Sequence, residues 1–166
     1  MAAGREIRLR IRGIQYPAQT VEGAQEESTA QPVVTVQEVT ASYFCRAGSH
    51  YLFYEEQPEG FEQAFKTRVK RRGKHLEIDR QGPAGSSMVF ESGKTWRTEY
   101  GTPFGRLPLD IVTETLEVMQ DEDSMERTEA DIPDDGAGNW QNVKIKYTLM
   151  NQDETLGEYE LYIERI

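Results

Sequence analysis

Few side chains in this 166-residue sequence are placed to do chemistry, and Arg80 stands out among them. It follows Leu76 and Ile78 at a spacing of two, so in a strand it shares their face, the inward one. An inward guanidinium near Trp96 or Tyr100 has two uses. It can close the end of a β-structure by stacking and hydrogen bonding, or it can anchor an acidic ligand through its planar fork of donors; if the strand has already ended, Arg80 is exposed instead. Arg80, Trp96, Tyr100 and Tyr147 are therefore the candidate ligand-binding residues. Inward aromatics fill a small barrel unless a void is left between them.

The other reactive side chains point away from catalysis. His50 sits beside a turn, and His75 shares a parity with Glu77 and Asp79, so both histidines read as surface residues. No further ligand stands at a spacing that would make a metal site of them, and no metal is expected. Cys45 lies on the parity of Tyr43 and reads as core, and nothing marks it as a thiolate nucleophile. Ser86, Ser87 and Ser92 are turn serines outside any Gly-x-Ser-x-Gly elbow. Gly101-Thr102-Pro103-Phe104-Gly105 lacks the Gly-Lys-Ser/Thr end of a phosphate loop. Glu55 could stand on a rim as a general base, but no second carboxylate pairs with it. The expectation is a protein that is not an enzyme, with no catalytic residues and no cofactor.

Composition narrows the partners. The net charge is −10, with 29 Asp and Glu against 19 Lys and Arg. That balance argues against nucleic acid and against an anionic membrane surface. Residues 120–139 hold eight of the acidic side chains and one basic one, and read as a solvated excursion. They do not follow the calcium-loop pattern, which needs a glycine at its sixth position. A single cysteine excludes an internal disulfide, and the first residues carry no apolar leader. Together these predict a cytoplasmic protein without a membrane span.

The elements that must position Arg80 are strands. Ile7, Leu9 and Ile11 alternate with Arg8, Arg10 and Arg12. Val34 and Val36 lie on one parity and Val39, Ala41, Tyr43 and Cys45 on the other, which predicts a β-bulge near Gln37-Glu38. Phe65, Thr67 and Val69 alternate with Lys66, Arg68 and Lys70, and after a turn at Arg72-Gly73 the next strand alternates with Glu77 and Asp79. Basic and acidic outer faces on successive strands fit a cross-strand pair. The same pairing recurs between Val143–Leu149, with Lys144 and Lys146 outside, and Gly157–Ile163, with Glu158 and Glu160 outside. The long run Leu107–Val118 changes parity after Thr115, which predicts a bent or bulged strand. Residues of about 17–33 and 120–140 lack periodicity and read as flexible loops, with a weak helical turn near Gly23–Ser28.

Eight to ten strands joined by short links make an antiparallel meander within one all-β domain spanning residues 1–166. A meander this long removes its edges by closing into a barrel, and a two-sheet sandwich is the competing arrangement. The basic first strand and the acidic last strand permit pairing at the seam.

Several segments together resemble a known family. They are Leu52-Phe53-Tyr54-Glu55-Glu56, Thr67 with Val69-Lys70, Arg80-Gln81-Gly82, Met88-Val89-Phe90 with Gly93, Tyr100-Gly101-Thr102-Pro103-Phe104-Gly105 leading into Thr113, and the ending Gly157-Glu158-Tyr159-Glu160-Leu161-Tyr162-Ile163. Over roughly Arg5–Ile166 they look like the YwiB-like family of small bacterial proteins of unknown function. Tyr-x-Thr-Pro-x-Gly is the most specific piece. The resemblance implies a calycin-like (lipocalin-like) β-barrel and brings no activity, substrate or catalytic residue. The residues and the resemblance lead to two expectations. One is a barrel that binds a small, partly apolar or acidic ligand in its interior. The other is a structural or protein-interaction module with a packed barrel, such as a homodimer, working through its outer face.

Overall fold

In the computed structural model, the described residues are 4–17, 31–56, 64–82, 85–102, 105–119 and 140–166, with the backbone alone described at Tyr100, Gly101 and Thr102. The expected loops fall outside these residues except at their ends, as does the helical turn near Gly23–Ser28. Ten strands are described: β1 (Arg5–Tyr16), β2 (Val33–Arg46), β3 (Ser49–Glu56), β4 (Phe65–Arg72), β5 (His75–Gln81), β6 (Ser86–Glu91), β7 (Thr95–Thr102), β8 (Gly105–Met119), β9 (Asn142–Asn151) and β10 (Glu154–Arg165).

All ten belong to one antiparallel sheet in the order β6-β5-β4-β3-β2-β1-β10-β9-β8-β7. The first and last strands pair, from Leu9 opposite Arg165 to Tyr16 opposite Glu158. That seam carries the expected charges, with Arg12 3.5 Å from Glu164 on the outer face. Tyr162 lies beside them, and the Arg12 guanidinium stands 4.1 Å from its ring centre. Closure comes at β6 and β7, and the barrel is nearly complete. No ladder joins these two strands among the described residues. Instead the Ser92-Gly93 turn ties them to β8: the Gly93 N–H donates to Thr113 O at 2.9 Å, Thr113 N–H donates to Lys94 O at 3.0 Å, and Leu116 N–H donates to Ser92 Oγ at 2.7 Å. The Thr98 hydroxyl adds a bond to Ser87 O.

The core follows from strand periodicity. Leu9, Leu52, Val69, Leu76, Phe90, Ile111 and Ile145 are completely buried, and they belong to a single apolar cluster. One end of the barrel, where the β2–β3, β4–β5 and β6–β7 turns lie, is packed shut. Trp140, Tyr43, His50 and Arg71 are all buried there. Trp140 Nε1 donates to Ile163 O at 3.2 Å, and Tyr43 Oη lies 2.8 Å from His50 Nδ1.

Several local expectations are corrected. The β1–β2 register runs unbroken through Gln37 and Glu38, so there is no bulge at that point. Val34 and Val36 instead lie on the outer face, exposed by 55% and 57%. An apolar outer face mimics a parity change that the backbone does not make. His50 is buried, not on the surface, because the inward parity of Leu52 and Tyr54 extends back to it. The β4–β5 turn is Gly73-Lys74, with Gly73 at φ +58°, one residue later than expected. The β8 irregularity is present, between Thr113 and Thr115, and a second register shift falls between Thr155 and Gly157.

The β2–β3 hairpin is closed by two residues, Ala47 at φ +52° and Gly48 at φ +80°. Both positive values mark a type I′ turn, and an alanine carries a Cβ penalty in its first position. Ala47→Asn is expected to raise stability by about 0.5–1 kcal/mol, read as a higher urea midpoint with an unchanged slope.

Candidate functional site

The two ends of the barrel differ. Opposite the closed end, inward side chains are no longer sealed. Tyr147 and Leu149 on β9 and Tyr159 and Leu161 on β10 point along the inward parity but are only half-buried. The interior also turns polar there. Tyr54, Glu56, Thr67 and Arg80 come together because Tyr54 pairs with Thr67 and Thr67 pairs with Arg80 across β3, β4 and β5. A half-open cleft of about 1050 Å³ runs over this end. It passes from Tyr54, Thr67 and Arg80 across Ser86 and Ser87 to the β7–β8 pair Glu99 and Arg106. Four basic side chains line it against three acidic ones, a local excess of positive charge on a protein of net charge −10.

Arg80 occupies the inner lip. Its Nη2 lies 3.1 Å from Glu56 Oε2, with the Glu56 side chain 6% exposed and that of Arg80 42% exposed. The Gln37 amide donates to the other Glu56 oxygen at 2.6 Å. The buried carboxylate thus fixes one edge of the guanidinium and leaves the rest of its donor fork toward the cleft. Glu55, the rim carboxylate noted in the sequence, faces outward and pairs in register with Lys66. Glu56, one residue on, shares the parity of Leu52 and Tyr54 and faces in. That parity is the signal in the sequence that distinguishes it.

Burial raises the Tyr54 and Tyr147 phenols far above their usual range. The Glu56 charge adds to this at Tyr54, while the Arg80 charge partly offsets it at both rings. Tyr147 stacks on Tyr159 with centres 5.2 Å apart and meets the Phe90 ring edge-on at 4.8 Å. These rings form an apolar shelf, and at Tyr147 the Arg80 charge is felt. The hydroxyl of Thr67 is buried in the cleft wall without a hydrogen-bond partner; that of Thr113, away from the cleft, is buried without one too. A buried hydroxyl without a partner costs about 1–3 kcal/mol.

Of the four residues read from the sequence, Arg80 and Tyr147 share this end of the interior. Trp96 is paired with inward Ile111 but is 48% exposed, because β7 has no ladder with β6 to cover it. It is therefore not enclosed with Arg80 as expected. The Tyr100 side chain lies outside the described residues. Glu56, Gln37, Thr67, Tyr54 and Tyr159 are additions from the structure. Among the described residues no group of three or more His, Cys, Asp or Glu could hold a metal ion. No helix of the described residues is long and apolar enough to cross a membrane.

Comparison with known proteins decides the family. Residues 20–163 match the family described as a domain of unknown function, DUF1934. The chain belongs to this family. Its fold is also similar to that of the ywiB protein from Bacillus subtilis, a solved crystal structure, with a TM-score of 0.61 and 17% identity over 99% of this chain and 96% of that one. At that identity the likeness concerns the fold, and it agrees with the YwiB-like barrel read from the sequence. A search of curated proteins finds no match. The DUF1934 family brings no activity with it, so function has to be read from the site.

Proposed function

We propose that this DUF1934 barrel is a non-catalytic, cytoplasmic binding protein for a small, partly apolar acid. One observation carries the reading: a guanidinium pinned by a buried carboxylate stands beside a buried, unpartnered threonine hydroxyl in a half-open cleft that Tyr54 also lines. Arg80 would take the acid head, Thr67 would donate to it or accept from it, and the Tyr147–Tyr159 shelf would take the apolar part.

Titration calorimetry with octanoate and phenylacetate near pH 7 tests this. The expected result is one saturable site, weakened at least tenfold by Arg80→Gln. Absence of saturable binding of either acid to the wild-type protein would contradict it. Thr67→Val separates stability from binding. Removing the orphaned hydroxyl is expected to stabilise the fold by about 1 kcal/mol while weakening the acid several-fold. Thr113→Val should give the same stability gain and leave binding unchanged, since Thr113 does not line the cleft.

A second reading is favoured by the outer face of β2 and β3. Phe44 stacks on Tyr51 at 4.7 Å and on Phe53 at 5.7 Å, and Phe53 is 40% exposed. Such a strip suits an interface between two copies. Light scattering would show a dimer that Phe53→Ser dissociates; a monomer at high concentration would rule this interface out.

A further inference from the structure

Arg80 is already engaged, and its partner restricts what can bind. Glu56 is cut off from solvent, and its countercharge comes from across the strands at β5. Among the described residues, the other groups facing it are the Tyr54 phenol from its own strand, the Gln37 amide from β2 and, directly opposite on β4, the apolar Phe65. Gln37 is neutral. Tyr54 is held in its protonated form by burial and by the charge of Glu56 itself. Neither can supply a second positive charge. An acid arriving from the cleft on the exposed edge of Arg80 therefore places a second carboxylate on a guanidinium that already serves one. Two carboxylates sharing one site do not both stay ionised when one is shielded from water.

We propose that Glu56 competes internally with the ligand for Arg80, and that an acidic ligand enters this site together with one proton taken up by Glu56. The inference rests on the acid-binding reading and adds its pH dependence. The balance is simple. The free protein holds Arg80 as a cation and Glu56 as an anion. The ligand carboxylate and one solvent proton enter, leaving cationic Arg80 on the ligand carboxylate and a neutral Glu56 carboxyl. That carboxyl keeps the Gln37 amide as donor to one oxygen. Because binding raises the proton affinity of Glu56, affinity for the acid must rise as pH falls, by up to tenfold per unit. Glu56 is thus a positioning residue in the free protein and a proton acceptor in the complex.

Calorimetry of the full chain with octanoate, in phosphate and in Tris at pH values of about 6, 7 and 8, reads the proton directly as a difference in heat between buffers. The expected result is uptake approaching one proton per octanoate at the acid end, with affinity rising toward low pH. Glu56→Gln, which keeps the shape and removes the charge, should bind octanoate roughly tenfold or more tighter than wild type at pH 8 and take up no proton. Binding to the wild-type protein that does not change with pH, with equal heats in both buffers, would overturn the coupling and leave acid binding standing. No octanoate binding at any of these pH values, to either protein, would overturn the acid-binding reading and the coupling with it. Circular dichroism checks that Glu56→Gln is folded, and the buffer comparison on wild type decides the matter without it.

Discussion

Trp140→Ala is expected to cost about 3–5 kcal/mol and to lower the thermal midpoint by roughly 10 °C. Trp140 is 1% exposed and is the largest fully buried side chain among the described residues. It plugs the closed end of the barrel. Its indole N–H donates to Ile163 O on β10, and the Arg71 guanidinium stands 6.0 Å from its ring. Arg71, itself fully buried, reaches on to Gln141 Oε1 at 3.3 Å and to Gly73 O at 2.9 Å. The tryptophan thereby ties the start of β9 to the β4–β5 turn and the end of β10. Trp140→Phe separates the contributions. It keeps most of the volume and loses the hydrogen bond, so a cost of about 1–2 kcal/mol is expected. Urea denaturation of both variants measures this. Equal, small losses would show that the end of the barrel tolerates opening.

The second large effect is alkaline. Tyr43 is fully buried, and burial pushes its phenol up to about 12 from an ordinary 10. Tyr54 and Tyr147 are raised further, again chiefly by burial. The sign follows from linkage. Unfolded tyrosines lose their protons above pH 10 while the folded ones keep theirs. The stabilisation is therefore whole below pH 10 and is lost as pH climbs through the folded values. Tyr43 alone contributes on the order of 2 kcal/mol across the window from 10 to 12, and the three together several. Urea midpoints measured from pH 8 to 12 should hold steady and then fall steeply. In Tyr43→Phe the fall should be shallower, because that side chain no longer titrates. A flat profile to pH 12 would mean that these rings are wetter than their packing indicates.

Most of the barrel is legible in the sequence because its outer face is charged. Arg8, Arg10 and Arg12 outside β1, and Glu158 and Glu160 outside β10, mark the seam by residue type alone, and the strands pair there. The β8 irregularity is legible from the parity change beyond Thr115. Legibility fails where the outer face is apolar. Val34 and Val36 face solvent, so the change in parity there is chemical and not geometric. It also fails at the site. Thr67 reads as one more inward strand residue, and nothing in its neighbours reveals that its hydroxyl lacks a partner. Glu55 and Glu56 are adjacent and identical in type. Only the parity of Leu52 and Tyr54 tells which one faces in. Arg71 continues the inward parity of Phe65, Thr67 and Val69, yet its charge suggests solvent; its bonds to Gly73 and Gln141 are what allow burial. Trp96 shows the reverse. Its parity is inward, but enclosure depends on a ladder with β6 that β7 does not make among the described residues.

A crystal structure of the full chain soaked with octanoate decides whether the half-open end of the barrel holds an acid. The expected density places a carboxylate within hydrogen-bonding distance of the Arg80 guanidinium, engages the Thr67 hydroxyl with the bound molecule, and lays the hydrocarbon chain along Tyr147 and Tyr159. Saturating octanoate with that end of the barrel occupied only by its own side chains, and with Arg80 bonded to Glu56 alone, would refute the acid site.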